Sequence, residues 1–269
     1  MKQQLRFSPV SETDFPEIAL LQPEYWADIM PTIRWYKTLD FCYLVKATLK
    51  DEVVGCGAAL VHEDCVWLAN IIVAKEFRNK GIGTVITEHL ITYAQQHRSN
   101  VLLIATRLGK PVYETFGFKE DSGYTFFKAH KIVLPVSEYI IPYEPQYKNA
   151  ILKLDHEVIG EHRLNLLHSR LKESFVFVKD GVFEGFCIPN LGEGLTIANT
   201  PEAGLALLAW RLREEKRACL PTANTVAIEF LLSQGYKIDE NLWAVKMYLN
   251  KKTNWDPTRQ YGRVGGNMG

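Results

Sequence analysis

The stretch that most constrains this chain is residues 71–83, which read Ile71, Ile72, Val73, Ala74, Lys75, Glu76, Phe77, Arg78, Asn79, Lys80, Gly81, Ile82 and Gly83. An apolar β-run turns through a basic segment with two glycines and opens into an amphipathic helix. In that helix Val85, Ile86, Leu90, Ile91 and Ala94 recur at three- and four-residue steps, so one face must be buried. A strand, a glycine-rich turn and a helix N-terminus make an anion site, because the first N–H groups of a helix lack intrahelical partners and the dipole favours negative charge. The N–H groups from Asn79 through Ile82 and Gly83 to Thr84 can converge on a phosphate, with Arg78 and Lys80 adding charge. Gly81 and Gly83 allow the backbone close to it.

The rest of the chain narrows the ligand classes. Its 269 residues suit two ordinary domains or one large one, and 47% hydrophobic content is ample for a buried core. Formal net charge is zero, which argues against a nucleic-acid or membrane-surface protein. The five cysteines are odd in number and form no CxxC pair, so they read as reduced thiols in a cytosolic protein. The N-terminus has no apolar leader core, and no run approaches a membrane span, so the expected location is the cytoplasm. His156, His162 and His168 recur every six residues, which does not share one helical face, so no metal site is expected. GxSxG, HExxH and Walker A patterns are absent from the sequence.

Taken in order, residues 5–10 read as a strand and 11–21 as a capped helix with an acidic first turn. Residues 24–39 are aromatic and broken by Pro31, so loop plus short helix is expected, either packed as core or lining a pocket. Residues 41–49, 53–62 and 65–73 make an antiparallel meander. A strand at 101–105, a short helix at 110–116 ended by Gly117, and a strand at 123–128 follow. The proline-bearing segment 131–147 is the candidate boundary, dividing the chain into 1–132 and 133–269. Beyond it come helices at 148–159 and 165–171, strands at 174–179, 183–188 and 195–198, a helix at 201–216, a strand at 218–220, a helix at 225–233 and a strand at 242–249. The glycine-bearing tail after Lys251 is expected to be disordered, the alternative being that it folds back over a site.

The two halves follow one plan. In each, an apolar strand leads to a turn, an amphipathic helix, a strand, a short helix and a glycine–aromatic pair, Gly117–Phe118 or Gly235–Tyr236. Opposite the basic turn the second half has Asn199, Thr200, Pro201, Glu202, Ala203 and Gly204, and opposite Tyr113 it has Leu231. The second half therefore carries the shape without the site.

Arg78-x-x-Gly81-x-Gly83 after a strand ending in Val73, followed one strand later by Tyr113-Glu114-x-x-Gly117-Phe118, resembles the acyl-CoA site of the GNAT N-acetyltransferase superfamily. Ala105-Thr106-x-x-Gly109-Lys110-Pro111-Val112-Tyr113 is similar to a segment of tandem GNAT proteins, though the acidic residue usual before that alanine is Ile104 here. Asp155 with Gly160, Glu161, His162 and Arg163, together with Pro221-x-x-Asn224 and Gly262-Arg263, also looks like that subgroup. The resemblance implies an α/β fold of two tandem GNAT-like domains, each a mostly antiparallel twisted sheet flanked by helices, with a degenerate second copy. It implies acetyl-CoA as co-substrate, bound by the backbone of Ile71, Ile72 and Val73 and by Arg78, Asn79, Lys80, Gly81, Ile82, Gly83, Thr84, Thr106 and Gly109.

The chemistry expected is direct attack by an amine on the thioester. By the same resemblance the Val73 N–H would polarise the carbonyl, and Tyr113 is the general-acid candidate for the departing thiolate. The strand before the loop has no acidic residue, so Glu24, Asp28, His62, Glu63 and Asp64 all remain open as base, and none is singled out. The neutral balance favours a small-molecule amine over a basic protein tail, with no nucleic-acid or membrane partner and a monomer or homodimer as the state. The segment 155–163 is a candidate for acceptor contacts. Two other classes fit the loop: a non-catalytic acyl-CoA sensor and a generic nucleotide-binding module.

Overall fold

The computed structural model describes residues 5–23, 26 and 28–268. Its elements begin with β1 (Arg6–Pro9), α1 (Phe15–Leu20) and α2 (Met30–Tyr36), then the meander β2 (Cys42–Leu49), β3 (Glu52–Val61) and β4 (Val66–Val73). Next are α3 (Ile82–His97), β5 (Val101–Ala105), α4 (Lys110–Glu114) and β6 (Lys119–His130). After the proline segment come β7 (Ile140–Pro142), α5 (Lys148–Ile159), α6 (Leu164–Leu167), β8 (Phe175–Lys179), β9 (Val182–Ile188) and β10 (Leu195–Ala198). The chain closes with α7 (Pro201–Arg211), β11 (Lys216–Pro221), α8 (Thr225–Ser233), β12 (Ala244–Leu249) and β13 (Gln260–Gly262).

Local chemistry explains the hairpins. Lys50 and Asp51 turn β2 into β3 at φ of 51° and 67°, and Asp180 and Gly181 turn β8 into β9 at 51° and 77°. Two successive positive φ values match the twist of the strands they join. Both halves thus use one turn type at the same place in the plan.

The strands form two sheets flanked by helices, the mixed α/β architecture expected. The larger runs β1-β2-β3-β4-β5-β12-β6-β11 and the smaller β13-β10-β9-β8-β7. The halves are interleaved: β12 lies between β5 and β6, pairing Val245 with Ala105 on one side and with Gly123 on the other, while β11 pairs with the far edge of β6. Pairing on both sides draws β6 out well past the 123–128 expected from its apolar run. It also takes Lys216 into β11 opposite His130, so α7 stops at Arg211 rather than at 216. Tertiary pairing overrides local propensity at both places.

One face of the large sheet packs on α3 through Leu68, Ile86, Leu90, Leu103, Val245 and Met247. The other face meets the second half in a continuous core that joins Tyr36, Trp67 and Ile72 to Leu154, Phe186, Val264 and Met268. The tail corrects the expectation of disorder. Residues 260–262 form β13, and Tyr261, Arg263, Val264 and Met268 are buried. Apolar side chains spaced among those glycines have a core to enter, which a glycine count does not reveal.

Candidate active site

The site starts from an interruption in β4. Cys56 faces Ile72 and Ala58 faces Ala69, so Asn70 and Ile71 together oppose one residue of β3. This is a β-bulge, and Asn70 sits at φ 48°, where asparagine is among the few tolerated side chains. The bulge bends β4 away from β5. The parallel pairing of those strands stops after Leu68–Leu103, and beyond it a wedge opens. The Ala74 N–H donates to Val54 O at 2.9 Å, toward β3, so strand alternation turns the N–H and C=O of Val73 to the opposite, open edge. Arg78 Nε donates to that carbonyl at 3.0 Å, and the Val73 N–H is left facing the wedge.

The wedge ends on the N-terminus of α3. Gly81 is its N-cap at φ 80°, a conformation that a Cβ would strain, and with no side chain it leaves the helix uncapped. Asn79 also has positive φ, 60°, which folds the turn tightly. None of the backbone N–H groups from Asn79 to Thr84 donates a hydrogen bond among the described residues. Gly83 lies beside Val73, where a Cβ would meet the valine at an ordinary 3.6 Å. The Lys80 ammonium sits 5.3 Å above the Phe77 ring. Unpaired donors, the dipole and two cations make this end of the wedge an anion seat.

Thr106 closes the loop from β5 into α4: its carbonyl accepts from Gly109 and Lys110, and its hydroxyl from the Gly109 N–H at 3.3 Å. A Cβ on Gly109 would lie 2.9 Å from the Tyr113 ring, so this glycine is where that ring rests. Tyr113 also packs against Phe118, and burial pushes its phenol up to about 12. It is therefore a protonated donor at neutral pH.

The other acid–base candidates fall elsewhere. His62, Glu63 and Asp64 form the β3–β4 hairpin; since Gly55 pairs with Val73, His62 lies seven residues along β3, about 23 Å from that end of the wedge. His62 is buried, which lowers its pKa, although Nδ1 bonds Asn165 at 2.8 Å. Asp64 accepts from the His162 N–H and Asp28 from the Met30 N–H. Glu24 lies outside the described residues. The rings of His156 and His162 stack at 3.8 Å, because α5 ends at Gly160 and the chain turns back, a meeting that helical spacing did not foresee. Among the described residues no cluster of His, Cys, Asp or Glu could hold a metal.

The segment 155–163 is tied inward. Arg163 makes a two-point pair with Asp155 at 2.8 and 3.0 Å and donates to Met268 O. Glu161 accepts from Trp67 Nε1 at 2.7 Å and from Lys246 Nζ at 2.9 Å. Burial alone would raise the Glu161 pKa, but the charges of Lys246 and Arg163 and those hydrogen bonds outweigh it and hold the carboxyl below its ordinary value. Removing one partner of such a buried pair costs about 3–5 kcal/mol. The network locks the second half and its tail onto β4.

A group that sequence reasoning missed lies at the bulge, on the face of the sheet that meets the second half. The Tyr36 hydroxyl donates to Asn70 Oδ1 at 3.0 Å and accepts from Asn267 Nδ2. The available signal was Asn70 itself, the one polar residue in the strand Val66–Val73.

Residues 10–118 match the model described as Acetyltransferase (GNAT) family. A Pyrococcus horikoshii protein solved as a candidate acetyltransferase superposes on 100% of this chain and 97% of its own, with TM-score 0.84 at 18% identity. A tandem GNAT protein from the clavulanic acid biosynthesis pathway does so over 97% of this chain and 99% of its own, with TM-score 0.57 at 13% identity. Residues 10–118 are thus similar to the GNAT family, and the chain as a whole has the fold of these tandem structures. N-acetylaspartate synthetase of Rattus norvegicus is 26% identical over 147 residues, 52% of this chain and 48% of that protein, so the chain spans about half the length of that curated relative.

In the second GNAT-like half the wedge is filled. β13 pairs with β10, Gly262 opposite Thr196 and Gln260 opposite Ile197, and packs against β11. The Tyr261 ring covers Gly204 on the first turn of α7, where a Cβ would come within 2.2 Å of it. Leu231, opposite Tyr113 in the repeat, is fully buried core.

Proposed function

We propose that this protein is an N-acetyltransferase with one working site, in residues 1–132, that moves an acetyl group from acetyl-CoA to a primary amine of a small molecule. The observation that carries the reading is the bare edge of β4 beyond Leu68, running into the uncapped N-terminus of α3. A pantetheine arm adds to that edge as a strand would, through Ile71 and Val73, while the pyrophosphate takes the N–H groups from Asn79 to Thr84. Arg78 and Lys80 supply charge, and Thr106 and Gly109 form the opposite lip.

The neutral amine attacks the thioester carbon, its carbonyl oxygen held by the Val73 N–H. The tetrahedral intermediate loses the nitrogen's proton to solvent and expels the CoA thiolate. The Tyr113 phenol protonates the sulfur and recovers its proton from solvent. A phenol near 12 is a weak acid beside an ordinary thiol of about 8.5. Burial disfavours a thiolate as it does a phenolate, so a thiolate expelled in the wedge gains by taking the phenol's proton. A small acceptor is favoured because the second half and the tail cover this face of the sheet.

The test is thiol release from acetyl-CoA with a panel of amines, aspartate included because of the relative's name, and with Tyr113→Phe as control. Release that depends on one amine class and collapses in the variant is expected. Tight CoA binding with no release from any amine would replace the enzyme reading with that of a sensor.

A further inference from the structure

The junction at Asn70 has a direction built into it. Asn267 Oδ1 faces its own turn, where a Cβ on Gly265 would lie 2.7 Å away, so its Nδ2 is the group that reaches Tyr36. The Tyr36 hydroxyl has a single proton, and because Asn267 Nδ2 is itself a donor to that hydroxyl, the proton goes to Asn70 Oδ1. Tyr36 is fully buried, and desolvation holds its pKa well above that of an ordinary phenol, so the proton stays in place. The Asn70 carboxamide is thereby fixed with its oxygen inward. Its Nδ2 has no partner among the described residues, and the residue is part-exposed at the point where β4 leaves β5. Positive φ at Asn70 fixes the backbone of the same residue, so its position as well as its orientation is set.

Resting on the acetyltransferase reading above, we propose that Asn70 is the specificity residue of the acceptor site. Its Nδ2 donates a hydrogen bond to an oxygen carried next to the reacting amine, and Tyr36 and Asn267 are the positioning residues that aim it. The acceptor class is an amine with a nearby oxygen: an amino acid, an amino-acid amide or an amino alcohol. A plain alkylamine would leave the amide donor unmatched. The C-terminal tail thus reaches the site of the first half through one side chain, with Arg163 holding Met268 O to fix the tail's approach.

The experiment compares alanine, alaninamide, 2-aminopropanol and isopropylamine as acceptors for the full chain. The oxygen-bearing amines are expected to exceed isopropylamine in kcat/KM by about ten- to a hundredfold, the worth of one well-aimed buried hydrogen bond. Asn70→Gly, which keeps the positive φ without strain, should erase that ratio and leave the KM for acetyl-CoA unchanged. Asn70→Asp should invert it against alanine, whose carboxylate would meet a carboxylate. Tyr36→Phe should shrink the ratio, whereas loss of a purely structural contact would lower all four substrates together. A ratio that survives Asn70→Gly overturns the proposal. Should the wild-type chain release no thiol with any amine, the acetyltransferase reading fails, and the Asn70 side-chain amide is then read by 15N NMR with CoA and each amine present. A shift with the three oxygen-bearing amines alone supports the donor role, and an unmoved resonance with all four overturns it.

Discussion

Beyond Leu68 no strand among the described residues pairs with the edge of β4 that faces β5, while the matching edge of β10 is paired with β13 at Thr196 and Ile197. The helices that follow differ in the same sense. α7 is capped by Thr200, whose hydroxyl accepts from the Ala203 N–H at 3.3 Å, and Pro201 at its first position removes a donor. α3 begins at Gly81 with neither device. One half satisfies its own strand edge and helix end, and the other leaves both unsatisfied side by side. Unpaired backbone donors lower the stability of a protein unless something binds them, so a wedge that keeps them is a binding site and a wedge that fills them is a structural joint.

The contrast can be broken at its strongest point by Tyr261→Ala, which removes the ring packed on Gly204. A loss of about 3–5 kcal/mol in denaturant unfolding is expected. Calorimetric titration should still count one acetyl-CoA per chain, because the second wedge has no anion seat; two sites in the variant would show that only the tail separates the halves.

Tyr113→Phe should cut kcat by about a hundredfold with little change in the KM for acetyl-CoA, whereas substituting its counterpart, Leu231→Met, should leave kcat unaltered. The phenol also sets a pH signature. Its folded pKa is raised to about 12 from an ordinary value near 10, so the stabilisation it brings is fully present below pH 10 and is lost as pH rises through 12. Unfolding monitored between pH 10 and 12 should show stability falling, with a shallower fall in Tyr113→Phe.

The smallest effects sharpen the helix ends. Thr200→Ala should cost about 1 kcal/mol of stability, as loss of a cap does, without touching the KM for acetyl-CoA. Gly81→Ala should cost a similar amount, about 1 kcal/mol, through its positive φ, and should raise that KM as well. Equal KM effects from the two would erase the distinction between an open and a capped helix end.

Much of the fold was legible in the residues because its signals are local. The span of α5, the strand 195–198 and the helix 225–233 follow from periodicity and capping, and the basic turn with its two glycines announced an anion seat before any packing was known. The bulge was half-legible: Asn70 interrupts an apolar strand, but only its opposition to β3 shows the chain bending there. The tail was misread, since glycines at 262, 265 and 266 mask the buried Tyr261, Val264 and Met268 between and around them. The Glu161–Lys246 pair joins residues far apart in the chain and has no spacing that could announce it.

Side-chain period, turn chemistry and the charge of one loop are properties of neighbouring residues, so the order of strands and helices and the place of the anion seat could be written down from the chain alone. Which strand lies beside which could not. The passage of β12 between β5 and β6, the filling of the second wedge by β13, and the reach of Asn267 to Tyr36 each depend on which surfaces remain unpaired once all the others have met. Burial and hydrogen-bond satisfaction act on the assembled molecule, and that global competition closed one wedge and left the other open.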